Sequence, residues 1–168
     1  MVVVSGERAR SLAQPPAYVR GAAAASGTKS LPYWELIAFR RGDIVHTPSR
    51  EVSQRLWASA GITPDEVDVA ELYDCYSYTV LAQLEDYGFC PKGEGGSFVA
   101  EGQIELGGTL PINTHGGHLG EAYVHGFTHV VEGVRQIRGT STTQVDDVEF
   151  AFVSGGTPSA TSALILQR

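Results

Sequence analysis

The chain has 168 residues, of which 42% are hydrophobic and 18% charged, a length and composition that suit one folded domain with a real core. The formal net charge of -7, without any run of Lys or Arg, argues against a binder of nucleic acid or anionic membranes, so small-molecule or protein partners are expected. The two cysteines, Cys75 and Cys90, match neither a metal-ligand spacing nor a secreted disulfide framework, which predicts free thiols.

The N-terminal stretch does not resemble a targeting signal. It lacks the basic start and long apolar core of a signal peptide, and no apolar run in the chain approaches the roughly 20 residues that span a bilayer. We therefore expect a cytoplasmic protein. Local patterns predict a strand end at residues 2–4, a capped helical segment at 5–12, a strand at 17–25 and a long irregular loop at 26–46.

Helices and strands alternate through the middle of the chain. Thr47–Pro48 opens a predicted helix that ends near Gly61. A short strand follows over 67–72, and a second helix follows over 77–86. Helix and strand alternation of this kind is typical of an α/β domain.

The second half begins with a Gly-rich excursion over 88–108 and a brief strand over 110–113. A helix is predicted from about Glu121 to Arg138, and two final strands, 148–154 and 163–166, are predicted to form a hairpin. Together the elements predict an α/β fold with a mixed sheet of about five strands and helices packed on its faces.

Three tyrosines surround the junction between the 67–72 strand and the next helix. Tyr76 and Tyr78 are interpreted as half-buried aromatics of a strand-to-helix corner. Tyr73 stands where the strand ends, and ligands of open α/β sheets gather at the carboxyl ends of strands. Tyr73 is therefore the candidate for a functional site.

Four histidines, at positions 115, 118, 125 and 129, raise the question of a metal. On the predicted helix, His125 and His129 share a face at i and i+4, as do Glu121 and His125. Zinc-peptidase helices carry a Glu directly after the first His of such a pair, whereas Gly126 follows His125 here. Packing or hydrogen bonding of the histidines is favoured over a metal site, and no metal is expected.

Glycine-rich segments leave two interpretations open. Neither GGTLPINTHGG nor PKGEGGSF fits a nucleotide-binding fingerprint. Gly155 and Gly156 lie between the last two strands, where they serve either hairpin geometry or a backbone N–H directed at an oxyanion.

Three separated segments, in order, resemble the C-terminal half of a thiolase of the sterol-carrier-protein type. They are VDVAELYDCYSYTVLAQLEDYGFCPKGEGG, LPINTHGGHLGEAYVHGFTHVVEGVRQIRG and VSGGTPSATSALIL, and the resemblance covers nearly the whole chain. It implies that residues 1–168 form a thiolase-like C-terminal domain, three-layered in the full protein, with residues 1–14 as the tail of a missing N-terminal half.

The residues that carry thiolase chemistry have changed. In register with the family's motifs, Tyr73 and Tyr123 replace two histidines, and Val153 replaces an acid/base cysteine. A Claisen cleavage needs a thiolate to take the acyl group and an acid/base to manage the carbanion, and a valine supplies neither. The usual thiolase mechanism is therefore not expected.

Tyrosines at both positions resemble the aldolase branch of the family, the lipid-transfer proteins associated with steroid side-chain degradation. That resemblance implies retro-aldol cleavage of a β-hydroxyacyl-CoA without a cofactor, with Tyr73 and Tyr123 dividing acid and base roles. It implies support or oxyanion binding by Asn113, His118, His125, Gly155 and Gly156.

The expected partners are an acyl-CoA substrate, a second copy in a homodimer, and an OB-fold domain of an acyl-CoA hydratase. The alternative is a non-catalytic thiolase-like module that binds acyl-CoA or lipid, or scaffolds a partner.

Overall fold

A four-stranded mixed sheet organises the computed structural model, which describes residues 2–26, 47–157 and 160–168. The strands are β1 (Tyr18–Ser26), β2 (Val69–Glu71), β3 (Phe150–Thr157) and β4 (Ala160–Gln167), in the spatial order β1-β4-β3-β2. β4 pairs antiparallel with both β1 and β3, and β2 pairs parallel with β3. The mixed α/β sheet is as predicted, with four described strands rather than about five.

One helix precedes β1, and the others lie between β1 and β2 or between β2 and β3. They are α1 (Gly6–Ala9), α2 (Ser49–Ala60), a short 3-10 helix (Pro64–Glu66), α3 (Ser77–Asp86), α4 (Gly95–Ala100), α5 (Gly117–Gly120) and α6 (Phe127–Arg138). No helix within these described ranges is long and apolar enough to cross a membrane.

The core is divided between the two faces of the sheet. On one face α2 buries Leu56 against Phe152 of β3 and Ile165 of β4, all fully buried. On the other face α6 contributes Ile137 to a second cluster that includes Val153. Burial of this apolar area is the main favourable term in folding and fixes both helices on the sheet.

Two glycines permit this close packing. A side chain at Gly21 of β1 would come within 2.8 Å of the Ala60 Cβ on α2. A side chain at Gly133 of α6 would come within 2.8 Å of the Val153 Cγ2 on β3. The layers therefore approach each other at points where only glycine fits.

The helix predicted from Glu121 begins six residues later, at Phe127. Residues 117–120 form the short α5, and His125 and Gly126 both have left-handed backbones, with φ of 50° and 83°. Left-handed residues cannot continue an α-helix. The proposed helical pairing of His125 with Glu121 and with His129 is therefore wrong.

Other local predictions were partly wrong. The Gly-rich excursion over 88–108 contains α4, and the predicted strand over 110–113 makes a single bridge, from Ile112 to Ala70. Residues 2–4 form no strand, since no described strand pairs with them. Tyr76 and Tyr78 are more exposed than predicted, at 54% and 53%. The predicted loop lies outside the described residues from position 27 onward.

Candidate functional site

Two phenols meet at the end of β2. The Tyr73 hydroxyl lies 2.7 Å from the Tyr123 hydroxyl in a hydrogen bond, although the residues are 50 positions apart. Tyr73 is only 3% exposed, whereas Tyr123 is 52% exposed. The pair therefore has an inner member held by the core and an outer member open to solvent.

The backbone of Tyr73 is fixed from two sides. Its N–H donates to the Ser154 Oγ on β3 at 2.9 Å, and its carbonyl accepts from the Gln83 Nε2 on α3 at 2.8 Å. Ser154 in turn donates to the Gln83 Oε1 at 2.6 Å. Because all three residues are buried, this small network sets the position of the inner phenol.

Asn113 joins the next loop to the same strand. Its side-chain oxygen accepts from the Leu72 N–H at 2.7 Å, and its own N–H donates to the Ala70 carbonyl at 3.0 Å. Its backbone is left-handed, with φ of 48°. The described contacts of Asn113 thus hold β2 beside the loop that leads to Tyr123.

The carboxylate of Asp74 contacts the two histidines that pack against the tyrosine pair, His118 and His129. It accepts from the backbone N–H of His118 at 3.1 to 3.2 Å, and its Oδ1 is 3.1 Å from the His129 Nε2. The same His129 nitrogen contacts the Leu72 carbonyl at 2.9 Å. Burial alone would raise the pKa of Asp74, but the hydrogen bonds from His129 and His118 outweigh it, so this pKa is lowered.

The ring of His118 is packed between aromatic neighbours. Ring centroids lie 4.7 Å from Tyr73, 4.4 Å from Tyr123 and 4.6 Å from His129. Only 6% of the side chain is exposed, and among the described residues neither ring nitrogen has a hydrogen-bond partner. Burial, followed by the charge of His129, lowers the pKa of His118, which keeps this imidazole neutral near pH 7.

A buried polar network supports the site from below. His115 Nδ1 is 2.9 Å from Glu71 Oε2, and Thr114 Oγ1 is within 2.9 Å of both Glu71 and Glu132. Burial lowers the pKa of His115, but the adjacent carboxylate of Glu71 reverses this and leaves the pKa raised. The network ties β2, the 113–116 loop and α6 together.

An open groove of about 460 Å³ runs along the α6 face of the sheet and ends beside the tyrosines. It is lined mainly by apolar side chains of residues 22–24, 125–127, Val130, 153–155 and 162–164. Gly126 separates the groove from the ring of Tyr73, because a Cβ on Gly126 would lie 2.9 Å from the Tyr73 Cδ2. The groove therefore borders the site, and its mainly apolar lining suits an apolar ligand.

The predicted site residues do not all lie together. Tyr73, Tyr123 and His118 form one cluster, and His125 stands beside Tyr123 with a centroid separation of 5.0 Å while also lining the groove. Gly155 lines the groove.

Gly156 is a hairpin residue with φ of 110°, where a Cβ would clash with the Ala160 carbonyl. This close contact explains why the hairpin needs a glycine at position 156. The oxyanion role expected of Gly156 stays a prediction.

Sequence reasoning missed two residues of the site. Asp74 directly follows Tyr73, and that adjacency is the sequence signal that could have identified it. His129 was weighed only as half of a helical pair with His125, whereas its actual partner is Asp74. The predicted helix began at Glu121 and placed His125 and His129 on one face, so the contact between His129 and Asp74 was not predicted.

The chain matches a known protein family and is similar to two named enzymes. Residues 33–168 match the model of the thiolase C-terminal domain-like family. Over 167 residues, or 99% of the chain, it is 47% identical to a steroid side-chain-cleaving aldolase from Thermomonospora curvata. Over the same length it is 48% identical to a 17-hydroxy-3-oxo-4-pregnene-20-carboxyl-CoA lyase from Mycobacterium tuberculosis.

A solved structure of an Ltp2-ChsH2(DUF35) aldolase superposes on 98% of the chain with a TM-score of 0.91 and 46% identity. In each of these three comparisons the chain spans 42% of the other protein's length.

Proposed function

The chain belongs to the thiolase C-terminal domain-like family, and from that premise we propose that it is the C-terminal part of a cytoplasmic acyl-CoA aldolase. The proposed reaction is retro-aldol cleavage of a β-hydroxyacyl-CoA that carries a steroid side chain, giving a ketone and a short acyl-CoA. The hydrogen bond of 2.7 Å between Tyr73 and Tyr123 is the observation that carries the proposal. The names of the 47% and 48% identical relatives support it.

The reaction needs a proton acceptor and a proton donor at one place. One tyrosine, as the phenolate, takes the proton of the substrate's β-hydroxyl while the Cα–Cβ bond breaks to a ketone and a thioester enolate. The other tyrosine then gives its proton to Cα. The hydrogen bond between the phenols returns the proton from the first to the second, which restores the starting state.

This chemistry balances within the substrate. The proton lost by the hydroxyl equals the proton gained by Cα, no electrons are exchanged, and no acyl group is transferred to the protein. The proposed cleavage therefore requires neither a cofactor nor a thiol, which is consistent with Val153 beside the groove. The polar groups expected near the enolate oxygen are His125 and the backbone at Gly155, both of which line the groove.

The proposal concerns a larger assembly, since the chain spans 42% of its relatives' length. One compared structure is named for an aldolase with a ChsH2(DUF35) component. We propose that the functional unit likewise includes a partner, the OB-fold domain of an acyl-CoA hydratase, and that two copies of this protein associate.

The test is replacement of each phenol by phenylalanine in the complete protein with its partner. Tyr73→Phe and Tyr123→Phe should each lower kcat by about 10²- to 10⁴-fold, the usual contribution of a positioned acid or base. The measurement is release of ketone and short acyl-CoA from a β-hydroxyacyl-CoA. Tyr18→Phe, on β1 away from the pair, is the matched control and should keep full activity. Full activity of both site variants would exclude the assignment.

The second candidate is a module that binds acyl-CoA without cleaving it. The open groove and the 52% exposure of Tyr123 favour it, because nothing in the described part of the chain closes the site over a substrate. Calorimetric binding of acyl-CoA to the complete assembly, with no products formed, would select this candidate over the aldolase.

A further inference from the structure

A set of potential metal ligands lies directly beneath the tyrosine pair and takes no part in the proposed cleavage. One carboxylate oxygen of Asp74 and one ring nitrogen each of His118 and His129 all lie within 4.8 Å of one another. We propose that Asp74, His118 and His129 bind a divalent transition-metal ion of the zinc class. The proposal does not depend on the aldolase reaction.

The separations of the ligand atoms suit such an ion. Four ligands at the usual ~2.1 Å around a tetrahedral zinc lie about 3.4 Å apart. The Asp74 Oδ1 is 3.1 Å from the His129 Nε2 and 3.7 Å from the His118 Nε2, values on either side of that spacing. The Leu72 carbonyl, 2.9 Å from the His129 Nε2, offers a fourth ligand.

His118 supplies an independent reason to expect a ligand here. Only 6% of its side chain is exposed, so the ring is more than nine-tenths buried. Neither ring nitrogen has a hydrogen-bond partner among the described residues. Leaving such a nitrogen unsatisfied costs about 1–3 kcal/mol. Because the ring makes no hydrogen bond, it can rotate toward the ion without breaking one.

The hydrogen bonds of His129 are compatible with the proposal. Without an ion, the His129 Nε2–H donates to the Leu72 carbonyl and to Asp74. On binding, that proton is released to solvent and the nitrogen lone pair is given to the metal. Two imidazoles, one carboxylate and one carbonyl form a mixed N and O set that suits zinc, and cobalt can replace it.

The site differs from the metal alternative considered for the sequence. That alternative paired His125 with His129 on one helix, whereas His125 precedes α6 and lies in the groove. His115 is occupied by its ion pair with Glu71. A metal bound at Asp74, His118 and His129 would hold the His118 ring against both tyrosines, which lie 4.7 and 4.4 Å from it.

Titration of the chelator-treated full chain with Co²⁺, followed by visible absorption, tests the site. A saturable tetrahedral Co²⁺ spectrum that Zn²⁺ abolishes is expected, together with a rise in Tm on adding Zn²⁺. His118→Asn should weaken Co²⁺ binding by at least about 10- to 100-fold, since even loss of an outer-shell group costs that much. Asp74→Asn should act in the same direction.

His125→Asn is the matched control, because this histidine also contacts Tyr123 but lies outside the cluster. Its Co²⁺ affinity should equal that of the unmodified protein. His118→Asn removes no hydrogen bond of the ring, so a native circular dichroism spectrum is expected for it. The proposal is overturned by absence of Co²⁺ binding, by unchanged affinity of a natively folded His118→Asn, or by loss of binding in His125→Asn.

Discussion

Gly126 allows the ring of Tyr73 to pack directly against the start of α6. It has a left-handed backbone with φ of 83°, and a Cβ there would lie 2.9 Å from the Tyr73 ring and 3.6 Å from Gly155. Two constraints thus act on one position, the backbone conformation and the space beside the ring. The lack of a side chain at this residue is part of the site's geometry.

Gly126→Ala is expected to damage stability and the site together. The left-handed conformation alone should cost about 1 kcal/mol, and displacement of the Tyr73 ring should add to that. The free energy of unfolding from urea titration measures the total.

Gly139→Ala is the control, because Gly139 also has a left-handed φ of 68° but nothing within 4 Å of its Cβ. It should show the backbone cost without any effect on the tyrosines. Equal losses in the two variants would mean that contact with Tyr73 does not matter.

A charged contact joins α3 and α4. Glu85 accepts from the Gly95 N–H at 3.1 Å, and Lys92 lies 3.2 Å from Glu85 and 2.8 Å from Asp86. Burial would raise the pKa of Glu85, but the backbone N–H groups of Gly95 and Gly93, with Lys92, lower it overall. The start of α4 therefore depends on an ionised Glu85.

Because of this contact, the free energy of unfolding should depend on pH in the acidic range. Because the pKa of Glu85 is lowered in the folded state, its contribution is present above the unfolded value near 4.5 and is lost as pH falls through the folded value. Glu85→Gln should lower the free energy of unfolding by about 1 kcal/mol at pH 7. The free energy of unfolding of this variant should also fall less steeply below pH ~4.5. Unfolding titrations across this pH range measure both effects. Glu94→Gln, at an exposed neighbouring carboxylate, is the control and should change the free energy of unfolding at pH 7 by no more than about 0.5 kcal/mol.

The α2 helix is held mainly by its buried face. Leu56→Ala should lower the free energy of unfolding by about 2–5 kcal/mol, because the fully buried side chain leaves a cavity against Phe152 and Ile165. Chemical denaturation gives the value. Gln54→Ala, on the exposed side of the same helix, should stay within about 0.5 kcal/mol. A loss below 1 kcal/mol for Leu56→Ala would contradict this account of the core.

Periodicity predicted α2 and α3 well, because each has a clear apolar stripe and a glycine just after its end, Gly61 or Gly88. It failed at α6, since His125 takes a left-handed backbone that its residue type does not signal. It also missed α4, which begins with two glycines and is held by Glu85. These features depend on contacts between distant residues.

For the whole molecule, alternation of elements predicted the α/β class but not the strand order. Pairing of β1 with β4 joins Tyr18 to Gln167, and no local pattern encodes a contact across that distance. The meeting of Tyr73 and Tyr123 became a hypothesis only through resemblance to a family with paired acid/base residues. No role at the site was predicted for Asp74 or for His129, so their contact emerged only from the three-dimensional arrangement.

The position of β4 has a consequence for the order of assembly. It follows every other described element along the chain, yet it lies between β1 and β3 and pairs with both. During synthesis β1 can pack against α2, but it has no described strand partner until β4 leaves the ribosome. The sheet then closes through pairings of high sequence separation, which form slowly because their loop entropy must be lost first. Until that moment the apolar strands remain open to chaperones and to wrong partners.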